Sequence, residues 1–168
     1  SFQVVEEKPM TAASDQVVVD KDFLTLPRQT SSDLLRIMPG IFINQHTGGG
    51  KAHQIFLRGF DAEHGQDLAG YLDGIPLNES SQVHGQGYLD LHFLIPESLG
   101  RMHLVKGPYF PEYGDFAVAG AVDFVSKEWR PDNRVSLTYG SFNTFEGLAQ
   151  LSGDSDGRLV YLAAEGVM

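Results

Sequence analysis

Apolar and polar positions change rhythm twice along this chain, and the changes mark its elements. Gln54 to Asn78 reads QIFLRGFDAEHGQDLAGYLDGIPLN. Its first apolar run, Ile55-Phe56-Leu57, stops at Arg58-Gly59, and its second, Leu68 to Leu72, stops at Asp73-Gly74. Asp-Gly between apolar runs predicts a tight primed turn, because both residues tolerate positive φ. The stretch therefore predicts a buried strand, an exposed polar loop, a second buried strand, a tight turn and a short strand.

Upstream, Gln16-Val17-Val18-Val19 predicts a short strand. Thr30 followed by Asp33 predicts a capped helix start. Leu34, Leu35, Ile37 and Met38 form that helix's apolar face, and Pro39-Gly40 ends it. Ile41-Phe42-Ile43 then starts a strand, and 45–54 is a loop. Downstream, 79–88 is a polar loop and Ile95 to Gly100 one helical turn. Met102 to Val105 and Ala121 to Val125 predict two more strands, joined by a loop rich in Tyr, Phe and Pro.

At Trp129 to Asn133 the pattern changes. Val135, Leu137 and Tyr139 alternate with Ser136 and Thr138, and Phe145 to Ser152 and Leu159 to Val167 continue in strand character. Short turns at Ser141-Phe142-Asn143 and Gly153 to Gly157 make this an antiparallel meander. Strands of about ten residues with partial alternation suit membrane barrels, and water-soluble barrels use the same pattern.

Composition narrows the partners. The 168 residues suffice for one domain with a modest core. With 12 Lys+Arg against 22 Asp+Glu, the net charge of -10 leaves no basic stripe for nucleic acid and opposes docking on an anionic leaflet. The absence of cysteine removes disulfides, thiolate metal sites and cysteine nucleophiles together, without fixing the compartment. No apolar run approaches the roughly 20 residues of a spanning helix.

Candidate chemistry is sparse. Arg58 closes a strand that reads as buried, and a buried guanidinium calls for an anion facing it. His46, His53, His64, His84 and His92 fall in or near loops, but no HExxH or tight pair is present, so no metal ligand is assigned. Gly48-Gly49-Gly50-Lys51 lacks phosphate-loop spacing, and Ala52 stands where Ser or Thr is needed. Asp73 and Glu97 occupy turn and helix-start positions that explain them structurally. With no nucleophile elbow either, the expectation is a non-enzyme without a cofactor.

Three stretches, in order and spacing, resemble TonB-dependent outer-membrane receptors. They are Asp33-Leu34-Leu35-Arg36-Ile37-Met38-Pro39-Gly40-Ile41, then Ile55-Phe56-Leu57-Arg58-Gly59-Phe60 with Tyr71-Leu72-Asp73-Gly74-Ile75-Pro76-Leu77, and finally Val105-Lys106-Gly107-Pro108 with Glu112-Tyr113-Gly114 and 119–127. The resemblance implies an α+β fold, a small mixed β-sheet with short helices, followed by an antiparallel meander from an incomplete barrel. It divides the chain into an extended segment, 1–15, a plug domain, 16–128, and the first barrel strands, 129–168. Three strands cannot close a barrel, which needs about eight at least, so the chain is expected to be a fragment that does not transport alone.

The same resemblance implies a plug gating energised import of a scarce ligand such as a siderophore, metal complex or cobalamin. The location implied is the outer membrane of a Gram-negative bacterium, with a periplasmic N-terminus. The expected partners are a small-molecule ligand, the protein's own barrel and the TonB complex, gripped through Phe2, Val4 and Val5, a poor match to the family's contact segment. Ligand contacts fall to His46, Thr47, Lys51, Glu63, His64, Gln66, His84, Gln86 and Tyr88. Arg58 and Lys106 are expected to face carboxylates on the barrel wall, although Lys106 stands where the family usually has Arg and lacks its bidentate fork. Exposed strand edges predict self-association of the fragment. Two other readings stay open: a soluble extracytoplasmic ligand-binding module, and a metal-dependent hydrolase.

Overall fold

The alternating segment GAVDFVS, Gly120–Ser126, forms the middle strand of the main sheet in the computed structural model, which describes residues 15–45, 50–127, 133–155 and 158–167. In chain order the strands are β1 (Asp15–Val19), β2 (Ile41–Asn44), β3 (Gln54–Leu57), β4 (Phe60–Asp61), β5 (Leu68–Leu72) and β6 (Ile75–Pro76). They continue as β7 (Leu99–Lys106), β8 (Gly120–Ser126), β9 (Arg134–Tyr139), β10 (Phe145–Ser155) and β11 (Arg158–Val167). Three sheets result, ordered β1-β7-β8-β5-β6, β2-β3-β4 and β11-β10-β9. The β5–β8 pair is parallel and every other pair antiparallel, so the main sheet is mixed as expected.

Alternation sends β-strand residues to opposite faces, and here both faces are covered. Leu68, Met102, Leu104, Val122 and Phe124 join Phe23, Leu34 and Leu35 in one apolar cluster. Their neighbours Ala69, Val105 and Ala121 pack on the other face beneath Tyr71, Phe110, Tyr113 and Phe116. Each fully sealed large side chain contributes about 1.5–3 kcal/mol. Strand β8 passes so close to β7 that a Cβ on Gly120 would lie 2.2 Å from the Val105 carbonyl oxygen.

Local expectations hold with two differences. Asp73 and Gly74 adopt φ of 51° and 77° and close the β5–β6 hairpin, as the Asp-Gly signal requires. The Asp73 carboxylate also accepts hydrogen bonds from Ser126 N–H (2.8 Å) and Oγ (2.6 Å), fastening the turn to β8. The helix starting after Thr30 is a 3-10 helix, Ser31–Ile37. Asp33 anchors it, accepting from Gln29 N–H (2.8 Å), Thr30 N–H (3.0 Å) and Arg36 Nε–H (2.6 Å).

The second difference concerns the loop expected after Leu57. It opens with another hairpin, in which Arg58 and Gly59 take φ of 53° and 80° and Phe60 pairs back with Leu57. Arg58 is consequently exposed instead of buried. Its side chain lies over Gly40, where a Cβ would be 3.4 Å from Arg58 Cγ.

The meander forms, with its two faces sharply different, but β10 runs on through Ser155 where a turn was expected from Gly153: Gly153, Asp154 and Ser155 pair with Val160, Leu159 and Arg158, and this cross-strand pairing overrides the local turn signal. Val135, Leu137, Tyr139, Phe145, Leu151, Val160 and Leu162 stand exposed on one face. Leu148 and Gln150 are buried on the other. Cross-strand register confirms the rows, since Leu137 pairs with Gly147, Val135 with Ala149 and Leu151 with Leu162. None of its described residues joins either apolar cluster of the preceding sheets. No helix among the described residues is long and apolar enough to cross a membrane, which says nothing about crossing by strands.

Candidate functional site

One asparagine gathers the polar loops at one end of the main sheet. Asn78 Oδ1 accepts the Gly70 N–H at 2.8 Å. Its Nδ2 lies 3.2 Å from Gly65 O, 3.0 Å from Leu68 O and 2.8 Å from Gly87 O, shared among those carbonyls. Loops 61–67 and 79–88 are thereby tied to the start of β5. Glu79 and Tyr88 form an antiparallel bridge, and Gln66 packs so closely on Gly85 that a Cβ there would meet its amide at 2.7 Å.

Tyr88 brings in the third loop. Its ring is 5% exposed, and its hydroxyl accepts the Ala52 N–H at 2.6 Å. His64 Nδ1 lies 2.8 Å from Ala52 O. A carbonyl only accepts, so Nδ1 carries the hydrogen and the neutral ring's lone pair resides on Nε2. Tyr88, expected among the ligand contacts, is a buried strut whose ring contacts both His64 and His84, at centroid distances of 5.7 and 6.0 Å.

The remaining predicted ligand residues are distributed around this strut. His84, Glu63 and Gln86 are exposed, and Lys51, His64 and Gln66 half-buried. Gln66 Nε2 donates to Glu63 Oε2, and Gln82 Oε1 accepts the His84 N–H at 2.6 Å. His46 and Thr47 lie outside the described residues, as do Phe2, Val4 and Val5.

A second histidine pair lies behind the first. His53, next to Ala52, is 6% exposed, and its Nδ1 has no hydrogen-bond partner. Its ring stacks on His92 with centroids 5.2 Å apart. His92 Nδ1 lies 2.7 Å from Asp90 Oδ1. Burial, and then the neighbouring His92, hold the His53 imidazole below the ordinary histidine range. Sequence spacing could not show this pairing, since 39 positions separate the two residues by subtraction of their numbers.

The two cations expected to face a barrel, Arg58 and Lys106, lie near enough for one charge to act on the other. Lys106, at the end of β7, is 7% exposed. Burial, and then the charge of Arg58, hold its ammonium below the ordinary lysine range. Among the described residues it makes no ion pair.

Sequence reasoning missed Arg28. It pairs with the buried Glu97 across the plug and also faces Glu165 of the meander. Arg28 and Glu165 line a cavity of about 700 Å³ whose wall includes His92 on one side and Thr138, Ser141 and Glu146 of the meander on the other. No motif or period marks it in the sequence, since its partner Glu97 lies 69 positions away.

Comparison with known proteins agrees with this architecture. A family model, the TonB-dependent Receptor Plug Domain, matches residues 7–121. The fold resembles the siderophore receptor PirA from Acinetobacter baumannii, with TM-score 0.70 and 21% identity over 99% of this chain and 26% of that one. It also resembles the ferric yersiniabactin uptake receptor FyuA from Yersinia pestis, with TM-score 0.67 and 22% identity over 92% and 23%. The copper transporter OprC gives TM-score 0.69 and 19% identity over 91% and 23%. At these identities the likeness is one of fold, and the chain spans about a quarter of each of those proteins.

Proposed function

The chain belongs to the TonB-dependent receptor plug domain family, and from that premise we propose that it gates energised import of a scarce ligand through an outer-membrane barrel. The transport receptors it resembles are named for siderophore and copper uptake, and we extend to this chain the coarser property, capture of a small ligand. Residues 1–15 form the segment presented to the energising complex, 16–128 the plug, and 129–168 the first strands of the wall. The loops around Tyr88 face the cell exterior and receive the ligand; the N-terminus lies on the periplasmic side of a Gram-negative outer membrane. Phe2, Val4 and Val5 are the contact candidates for the TonB complex, by strand addition.

Lys106 carries the reading. A buried ammonium beside a second cation is costly unless an anion faces it. The described residues supply none at ion-pair distance to Lys106. A carboxylate on the inner barrel wall would complete the pair, as would the outer edges of β9 and β11 be completed by further wall strands. Arg28, between Glu97 and Glu165, supplies a second plug-to-wall tether.

The gating step begins at β1. This edge strand follows the N-terminal segment and pairs with β7 over five positions, Asp15 to Val19. His103 Nε2 and Asp15 Oδ1 lie 2.5 Å apart, and Tyr113 OH lies 3.0 Å from His103 Nδ1. Burial, and then the nearby Asp123 and Glu112, push the Tyr113 phenol up to about 12, so it stays a neutral hydrogen-bonding group. Pulling on the N-terminus strips β1 first and exposes β7, which holds Lys106. Whole-cell uptake by the full-length receptor tests the proposal: uptake should stop without the energising complex, and uptake that persists unchanged contradicts it.

A further inference from the structure

Four histidines that are dispersed in sequence come together in two pairs on either side of the Ala52-His53 peptide. His64 and His84 form the outer pair, with ring centroids 6.0 Å apart, and His53 and His92 the inner one. Two of these rings are held in the manner of metal-ligating imidazoles, whose second ring nitrogen donates to a carbonyl or carboxylate. His64 donates from Nδ1 to Ala52 O at 2.8 Å, and His92 from Nδ1 to Asp90 Oδ1 at 2.7 Å. In each ring the lone pair is thereby placed on Nε2. His53 keeps a sealed Nδ1 without a hydrogen-bond partner, an unfavourable arrangement for a buried polar atom. Two imidazoles sharing one ion through bonds of about 2 Å bring their ring centroids to roughly 4.5–6 Å as the angle at the ion opens from about 90° to about 145°; the inner pair at 5.2 Å lies within that range and the outer pair at 6.0 Å at its wide end.

The surrounding charge selects among metal complexes. The described loop residues carry Asp61, Glu63, Asp67, Glu79 and Asp90 against Lys51. Such a surface repels an anionic ferric complex whose metal is already saturated by oxygen donors, and it attracts a neutral or cationic one. Among the described residues no three histidine or carboxylate groups converge to hold a bare ion. Two imidazoles fill only part of such an ion's coordination shell, so the ion arrives with other donors of its own.

We propose that this plug recognises a divalent late first-row transition metal as an incompletely coordinated complex, with His64 and His84 supplying imidazole nitrogens to its open positions. Imidazole suits copper, zinc and nickel, and affinity at such donors peaks at Cu(II). The inner pair continues the donors from the loop mouth to the plug–wall cavity, which His92 lines. The proposal rests on these loops being the ligand face of the plug.

The test titrates the full-length receptor in detergent with the neutral 1:1 complex of Cu(II) and iminodiacetate, which leaves positions open, and reads pulsed electron paramagnetic resonance. Imidazole nitrogen couplings should appear on the copper, and His64→Gln/His84→Gln should weaken binding by about tenfold or more. His84 is exposed and carries little packing, so His84→Gln alone keeps the test readable should the double variant misfold. Cu(II) saturated by EDTA should bind at least about tenfold more weakly than the open complex. Absent imidazole couplings, full affinity in the histidine variants, or equal binding of the saturated complex would each overturn the proposal. Energised uptake of another ligand, indifferent to both histidines, would remove the metal class and leave gating in place; loss of energy dependence would strike gating and leave the copper spectrum unchanged.

Discussion

In β8 the side chains of Val122 and Phe124 are sealed from solvent, whereas in β9 Val135 and Leu137 stand 72% and 86% exposed. Both strands are β-branched and aromatic-rich, and local propensity does not separate them. What differs is the surroundings. The main sheet has cover on both faces, from the 3-10 helix of Ser31–Ile37 on one and the Tyr71–Tyr113 aromatic group on the other. The meander turns a mixed face toward the plug, with Ser136, Thr138, Gln150 and Glu165 beside the buried Leu148, and a continuous apolar face away from it. An apolar-out, polar-in alternation of this kind suits a strand whose outer solvent is lipid. The same alphabet thus builds a core in one region and a wall in the other, and substitutions should behave differently in the two.

The sharpest contrast comes from truncation. Phe124→Ala should cost about 3–5 kcal/mol, read as a loss in urea midpoint of the chain. Leu137→Ala should stay within about 0.5 kcal/mol in the same assay. Comparable losses would erase the distinction between core and wall. A charge should reverse the ranking of the two faces: Leu137→Arg should cost about 2–4 kcal/mol for folding of the full-length receptor into lipid vesicles, provided the residue sits near the midplane. A cost near zero there would remove lipid as the meander's outer solvent.

Two smaller effects belong to the plug alone. Gly74→Ala places a Cβ at φ of 77°, and should lower plug stability by about 1–2 kcal/mol in chemical denaturation. Asp33→Ala removes the carboxylate that anchors the 3-10 helix, for a loss of about 1 kcal/mol. Burial opposes ionisation of Asp33, but hydrogen bonds from Arg36, Gln29 and Thr30 outweigh it and hold its pKa below the ordinary 3.8. Its stabilisation is therefore present above pH 3.8 and lost as pH falls through the lower, folded value. Asp33→Ala should abolish that part of the acid dependence. Asp123 has the opposite sign: burial first, and then Asp73, raise its pKa, so its contribution is present in acid and lost as pH rises through the raised value.

Much of this architecture was legible before any coordinates. The Asp73-Gly74 hairpin and the meander rest on local chemistry, period two and positive φ, which a sequence displays directly. The Arg58-Gly59 hairpin was missed because Arg is not a usual occupant of the left-handed region, so a turn was read there only as the end of a strand. The loop cluster was visible as a set of candidate ligand contacts, but what holds those loops together was not. Its organisation depends on Asn78 reaching three carbonyls and on Tyr88 reaching Ala52 across 36 positions, and neither contact leaves a periodic trace. Arg28 escaped notice for the same reason, since its partners Glu97 and Glu165 lie far along the chain.

The central claim is that one face of the meander meets lipid while the plug does not. Spin labels placed singly along β9 and β11 of the full-length receptor in vesicles, scanned for collision with oxygen and with a water-soluble nickel chelate, test it most directly. The account predicts a period-two pattern, with oxygen favoured at Leu137 and Leu162 and the plug-facing Ser136 and Ala163 out of phase with them. Uniform nickel access along both strands, with no alternation, would contradict it.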